Sequence, residues 1–487
     1  GEGNPMTMDE QPTGALGVES WLKCHPTVQR VVCAPALVVL AASVFALSPW
    51  LALDMVSAAV LVLLLFLQPR LAPALVTATL PVFLRAKGIL SLRFSLPELF
   101  LWMGLAALIG RVLVDWMWSR TAARRVTPGT APAWRIPIGR FDLDLPVILF
   151  LAVAVLATVR APWVGIASHE LRVVFLDAGL FYFLVSRQKA SNASPSTWLW
   201  PAVDGLAVGA GMVAVIALGQ AVLGSDIIAA EGVGRVRAFY GSPNNLALYL
   251  ERVLPLLVVV AVLGDGRRRV GYAALAVIVL PALLLTFSRG ALILGLPAAL
   301  LFVGVVRGGR VLRVTLVGLA IGLLALAAAF SQRMARLGDL FNFQSGTSFL
   351  RLKLWRSAWQ MALDHPWLGV GPDNFLYLYR TRYVLPSAWA ELNLSHPHNI
   401  VLDFWTRLGL AGLLSGAWLL GATGWRGWRL YQNLHEGNVR WAILGLLAGL
   451  VAGLAHGLVD NSLFLVDLSF FFFLCAGLFA QRGPVSA

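Results

Sequence analysis

The stretch NLALYLERVLPLLVVVAVLGDGRRR, residues 245–269, decides the architecture. Its first part, 245–264, is an apolar run of about the 20 residues a helix needs to cross a bilayer core. Its end, GDGRRR (264–269), is a basic link of the kind that stays on the cytoplasmic side. The same pairing of apolar run and basic link recurs at SRTAARR (119–125), RGGRVLR (307–313) and WRGWRL (425–430). One alternating thread puts all four links on one side, which sets the orientation.

Composition agrees with this reading. The chain is 59% hydrophobic and 13% charged, where a soluble domain carries about 25% charge. Mean hydropathy is +0.77. The alternating strands of about ten residues that mark a closed barrel are absent. The fold class is therefore an all-α polytopic membrane protein, with about 12–14 transmembrane helices and one long periplasmic loop of short helices. Spans are expected at 145–160, 171–186, 200–223, 245–264, 270–287, 290–306, 311–329, 399–423, 440–458 and 463–480. Before them, 31–47, 50–67 and 96–113 read as spans, and 70–84, with two prolines, as a re-entrant piece.

The organisation follows as a cytoplasmic tail (1–30), a transmembrane bundle (31–329), a periplasmic loop (330–398) and C-terminal helices (399–480). The leading GEGNP, before Met6, reads as residues left by cloning. No internal repeat is visible. The net charge of +14 is read as membrane topology, with no nucleic-acid partner. Cys24, Cys33 and Cys475 have no paired spacing, so neither a disulfide framework nor a zinc site follows.

The thread leaves 161–170, 224–244, the turn at 288–289 and the segment 330–398 on the outer face. In the last, FLRLKLWRSAWQMAL (349–363) reads as an amphipathic helix resting on lipid headgroups, with Leu352, Trp355, Trp359 and Ala362 along its apolar face. These connections carry arginines that topology alone does not explain. Arg160 and Arg172 flank the first, and Arg235 and Arg237 precede AFYGSPNN in the second. Arg289 sits in TFSRGAL, and Arg333, Arg336, Arg351, Arg356, Arg380 and Arg382 lie in the long loop. Contact with lipid headgroups accounts for any one loop arginine. Arg289, held in a tight turn between spans, fits an anion better, and guanidinium forks match the oxygens of a diphosphate.

GSPNNLALYL (241–250) adds a second anion device, with Asn244 in its first turn. Ser242 is placed to cap a helix with Pro243 at its first position, which aims free N–H groups at the compartment of Arg237.

Two of the chain's seven histidines meet in LSHPHNI, residues 394–400. His396 and His398 could be metal ligands, a structural pair, or a general base with its neighbour. A metal needs a third ligand, and Asp339, Asp364, Asp373 and Glu391 form no recognisable spacing with the pair. Pro397 favours an extended His396, so the two rings are expected to point apart. Asn399 is a good N-cap for the following helix, which leaves His398 near its positive end and favours a neutral ring. His398 is thus the preferred base, with His396 in support. His456, Asp460 and Asn461 read as helix-end packing that could join the site. A neutral base, an arginine cluster and a membrane suggest a hydroxyl attacking a carbon that carries a lipid-linked diphosphate.

In order along the chain, RAFYGSPNNLA (237–247), LLTFSRGAL (284–292), GVGPDNF (369–375) and HPHNIVLDFWTRLGLAGL (396–413) resemble the O-antigen ligases. Their superfamily includes O-antigen polymerases and protein O-oligosaccharyltransferases, and the resemblance covers roughly 150–480. It implies a fold like the integral-membrane (GT-C type) glycosyltransferases, with the long loop as a lid. It implies transfer of O-antigen from undecaprenyl diphosphate to lipid A–core oligosaccharide, at the periplasmic face of a Gram-negative inner membrane. Carried onto this chain, Arg237 and Arg289 would hold the diphosphate, with Arg160 and Arg172 as weaker additions, and His398 would activate the acceptor. No metal and no cofactor is implied, and the product is inverted at the anomeric carbon. A polymerase or a protein O-oligosaccharyltransferase would use the same donor. A lipid or polysaccharide transporter is the alternative in which no bond is broken.

Overall fold

Backbone N–H and C=O groups find no partner in hydrocarbon, so apolar runs of this length must bond internally. The computed structural model shows that outcome. It describes residues 35–89, 92–123, 143–188, 195–230, 233–333, 346–461 and 463–481. The N-terminal tail, Cys24, Cys33, Arg336 and Asp339 lie outside the described residues.

The regular elements among the described residues are helices, apart from two short antiparallel hairpins. These are β1 (Lys87–Ile89) with β2 (Leu92–Phe94), and β3 (Ile228–Ala230) with β4 (Val233–Arg235). Among the described residues, five helices are long and apolar enough to cross a membrane: Leu96–Trp118, Thr197–Leu223, Pro243–Leu263, Ile400–Asn433 and Asn438–His456. Shorter apolar helices include Pro35–Leu47, Leu51–Leu67, Leu71–Val82, Asp144–Val159, Ala291–Arg307 and Val466–Ala480. The protein is an all-α polytopic membrane protein.

Two compact units divide the chain, 1–69 with 102–136, and 70–101 with 137–487. In the first, Pro35–Leu47 (α1) packs on Leu51–Leu67 (α2), and Arg111 donates to the Phe66 carbonyl at 3.2 Å. The second holds every candidate site residue. In chain order, Leu71–Thr79 (α3), Leu96–Ala123 (α4, in this unit only as far as Leu101), Asp144–Val159 (α5), Val164–Glu170 (α6), Asp177–Ser186 (α7) and Pro195–Leu223 (α8) lead up to the first candidate motif. A π-helical turn at Leu171–Leu176 interrupts the expected span 171–186. Within the second unit α3 lies against α8, where Thr77 donates to the Ala202 carbonyl at 2.8 Å.

After the β3–β4 hairpin come Pro243–Leu263 (α9), Gly266–Leu284 (α10), Leu296–Arg307 (α11) and Gly309–Arg333 (α12). The long connecting segment holds Gly346–Asp364 (α13) and Phe375–Leu378 (α14). Ile400–Asn433 (α15), Asn438–His456 (α16) and Val466–Ala480 (α17) close the chain.

Helices α9 and α16 form the centre of this unit. Gly445, Gly449 and Gly453 recur every four residues on α16 and face α9. A Cβ at Gly445 would overlap Leu256, one at Gly449 the Arg252 carbonyl, and one at Gly453 the Arg252 guanidinium. Small residues at this spacing let two helix backbones meet where hydrocarbon offers no hydrophobic drive. Ser242 caps α9 as expected, accepting from Asn245 N at 3.2 Å, with Pro243 in the first turn.

On α13 a second apolar stripe lies beside the expected face. Leu352 is 43% and Trp359 51% exposed, whereas Leu354, Ala358 and Met361, together with Ala362, are buried. The buried stripe packs on Val370, Phe375, Leu378 and Tyr379, a small core of the segment's own. The residues after the helix fold back and present apolar groups, which a reading of 349–363 by itself does not contain.

GVGPDNF (369–375) anchors this segment. Val370 N donates to the Thr406 carbonyl at 2.7 Å and Gly371 N to the Arg407 carbonyl at 3.0 Å. Their partners sit where α15 kinks at Gly409, with φ 69° and ψ −169°. Only glycine adopts that conformation readily, and a Cβ there would overlap Trp367. Gly409→Ala should cost on the order of 1–3 kcal/mol from backbone strain before any clash is counted. Thermal unfolding of the purified protein in detergent should show a clear drop for Gly409→Ala. Gly421→Ala, on the same helix with open space around it, should show none.

Candidate active site

The site begins where α15 starts. Asn399 caps the helix, its side chain accepting from Val401 N and Leu402 N, both at 3.1 Å. Its amide also donates to the Leu458 carbonyl at 3.1 Å, while Ile400 N donates to the Gly457 carbonyl at 2.6 Å. These bonds lay the 457–461 turn, which follows α16, across the start of α15. Asp460 is thereby brought under the histidines.

His398 Nδ1 lies 2.8 Å from Asp460 Oδ1, and His396 Nε2 lies 3.4 Å from the same oxygen. The rings are 4.2 Å apart between centroids, so they converge rather than point apart. The reason is at His398, whose φ of 50° is left-handed. The alternation expected of extended chain holds only while consecutive residues stay extended, and this turn breaks it. Asp460 also accepts from Asn461 N at 2.8 Å, so its Oδ1 is bonded from three directions. The expectation that Asp460 serves helix-end packing is corrected: it holds both histidines.

The hydrogen bonds separate the two imidazoles. An ionised carboxylate only accepts, so each ring presents N–H to Asp460. His396 is then occupied at both nitrogens, because its Nδ1 meets Ser395 Oγ at 3.1 Å. His398 uses Nδ1 for Asp460, which leaves Nε2 as its lone-pair atom. Burial lowers the His398 pKa, the hydrogen bond to Asp460 opposes this, and the charges of His396 and Arg351 lower it further. The ring is neutral at neutral pH. Burial works to raise the Asp460 pKa, but the hydrogen bonds and charges of His396 and His398 outweigh it and hold the carboxyl well below the usual range.

The same three groups could hold a metal ion, since their ligand atoms all lie within 4.8 Å of one another. Asp460 is the third ligand that the loop carboxylates did not supply. The distances favour hydrogen bonding. Two ligands of one tetrahedral zinc, each about 2.0–2.1 Å from it, stand about 3.3 Å apart. The 2.8 Å between His398 and Asp460 is shorter than that and is an N–H···O distance.

The arginines divide. Val236 N donates to the Leu285 carbonyl at 3.2 Å, and Arg235 Nε to the Thr286 carbonyl at 2.7 Å. The β3–β4 hairpin is thus tied to the turn carrying Arg289. Arg235 also donates to Asn244 Oδ1 at 2.6 Å, so these two residues brace the turn rather than open onto it. Arg237 follows on a loop whose backbone is held by Gln220, and its buried Nε has no partner among the described residues. Gly290, next to Arg289, packs on the imidazole of His456. Arg351 on α13 feels the charges of Asp460, Arg289 and Glu391, and burial lowers its pKa. It therefore joins the site electrostatically, a role that sequence gives no reason to single out among the loop arginines. Arg172 is instead paired with Glu98, and Arg160 is exposed at the end of α5. Arg356, Arg380 and Arg382 are exposed.

Residues 273–417 match the O-antigen ligase family. The match supports a relation to the O-antigen ligase superfamily. It contains the SRG turn, GVGPDNF and the histidine element, while RAFYGSPNNLA precedes it. No curated protein matches the chain. The family supports glycosyl transfer of the O-antigen ligase or polymerase type by a membrane-embedded protein acting on lipid-linked polysaccharide. Within the matched segment the histidine element and the SRG turn are far apart in sequence, and His456 joins them in space. Its Nε2 lies against Gly290 and is 3.8 Å from Asp460.

With seven histidines in the chain, ring titration is accessible to NMR of histidine-labelled protein. His398 should titrate below the free value of about 6.5. Asp460 favours the charged ring, so Asp460→Asn should move the His398 titration lower still. An upward shift would contradict the assigned hydrogen bond.

Proposed function

We propose that this protein transfers O-antigen polysaccharide from undecaprenyl diphosphate to a hydroxyl of lipid A–core oligosaccharide, at the periplasmic face of a Gram-negative inner membrane. The observation that carries the reading is His398, fixed through Nδ1 by Asp460 so that Nε2 keeps the lone pair, with the Arg289 turn reached from Asp460 through His456. The acceptor O–H bond breaks as its proton passes to Nε2. The oxygen forms a bond to the anomeric carbon from the face opposite the diphosphate, and the bond from that carbon to the diphosphate oxygen breaks. The configuration inverts, and the leaving group departs with the electron pair.

Charge grows on the diphosphate during this step, and Arg289 and Arg237 supply the compensating cations. The unpartnered Nε of Arg237 supports this, because a buried donor without an acceptor is costly unless a ligand satisfies it. Fixed cations in a poorly hydrated site stabilise developing charge without reorganising. Arg160 and Arg172 are lesser candidates: Arg172 would have to leave Glu98 to bind phosphate. No step in this scheme needs a metal ion.

His398→Ala should lower turnover by about 10²–10⁴-fold while donor binding is retained, whereas a transporter would tolerate the change. Arg289→Ala should weaken donor binding, and Arg289→Lys should recover only part, because the guanidinium fork is lost. Offered lipid A–core or a second lipid-linked chain after exhaustive chelation, the purified protein should extend the first. Transfer only to the second would make it a polymerase, and a strict divalent requirement would overturn the metal-free scheme.

A further inference from the structure

Deep between α9 and α16 lies a pair of ionisable groups that the scheme above does not use. Glu251 is 0% and His456 1% exposed. His456 Nδ1 stands 2.9 Å from both oxygens of Glu251. Ionisable residues inside a membrane bundle are rare and expensive, so such a pair calls for a role. Its surroundings are built to fit. A Cβ at Gly295 would overlap the Glu251 carboxylate, and a Cβ at Gly290 would overlap the His456 ring. The Arg252 guanidinium lies against Gly453, one turn before His456, and donates to Glu251 at 3.3 Å.

The other edge of the His456 ring faces two ways. Its Nε2 is 3.8 Å from Asp460 Oδ2, the oxygen of Asp460 not shared by the other histidines. The same nitrogen is the atom nearest to a Cβ placed on Gly290, which follows Arg289. One imidazole, held from behind by Glu251, therefore packs against the turn that carries the donor arginine and lies within ion-pair distance of the carboxylate that orients the base.

We propose that His456, locked by Glu251, is a positioning residue that sets the two halves of the site together. It steadies Asp460, and through it the Nδ1–H tautomer of His398, and it seats the Arg289 turn through Gly290. This rests on the glycosyl-transfer reading, but its contacts and spectroscopic signature do not.

The experiment uses the full chain in lipid nanodiscs, with wild-type transfer as the reference for the underlying reading. Absence of any transfer by the wild type would fail that reading and leave the spectroscopic arm to decide this one. His456→Leu should lower kcat by about 10–100-fold, the loss typical of groups that orient a metal-bound histidine from behind. His456→Asn, which keeps a donor toward Glu251, should recover part. Nitrogen chemical shifts of labelled histidine should show His398 as the Nδ1–H tautomer in the wild type and as a mixture in His456→Leu. Gly290→Ala should weaken donor binding, and adding His456→Ala should restore binding but not turnover, because the new methyl then has room. Unchanged His398 tautomer, or strictly additive effects of Gly290→Ala and His456→Ala on donor binding, would overturn the proposal. If His456→Leu does not fold, His456→Asn and the Gly290 pair carry the same test.

Discussion

The close approach of α9 and α16 is the constraint on which the rest depends. Three glycines at four-residue spacing bring the backbones together, and the next turn of α16 delivers His456 onto Glu251. A larger residue in that seam would push apart the two helices that carry the pair. Removing one partner of a buried, hydrogen-bonded charge costs about 3–5 kcal/mol, because the other is left without its counterpart. In hydrocarbon this is a strong reason for the helices to meet in one register only. From that register follows the 457–461 turn, and from the turn follows Asp460.

The arrangement of the arginines is a second consequence. Several are accounted for without a ligand: Arg172 by Glu98, Arg235 by Thr286 and Asn244, and Arg356, Arg380 and Arg382 by exposure. Arg289 and Arg351 come from separate elements to the neighbourhood of Asp460, and the hairpin that precedes Arg237 is bonded to the turn before Arg289. The Asp460 carboxylate is itself engaged by two imidazoles. Cations near an imidazole discourage its protonation, and after burial the charges of His396 and Arg351 act on His398 in that sense.

Features carried by neighbouring residues are legible in the sequence. Apolar runs locate the helices, and Ser242 and Asn399 cap theirs as their side chains and flanking residues suggest. What escapes is set by distant residues or by a single dihedral. Asp460 lies 62 positions after His398, and Glu251 lies 205 before His456, so no local spacing announces either. The left-handed φ at His398 turns two rings expected to diverge onto one oxygen. On α13, hydrophobic periodicity picks out Leu352 and Trp359, which stay exposed, and does not reveal the neighbouring stripe that the apolar groups of 370–379 cover.

Two of the motifs that carry the family resemblance therefore do different work. GVGPDNF contributes no group to the histidine cluster; it bonds to the kink of α15 and fastens the long connecting segment there. The kink at Gly409 and the cap at Asn399 hold the two ends of the same short helical stretch, and Arg407 within it bonds to Asp403 and Glu170. That stretch is consequently fixed at both ends and braced in the middle. His398 immediately precedes it, and the turn that supplies Asp460 is bonded to its first residue. The contact that holds the connecting segment and the bond that holds the Asp460 turn beside His398 are therefore fewer than three turns apart on one helix.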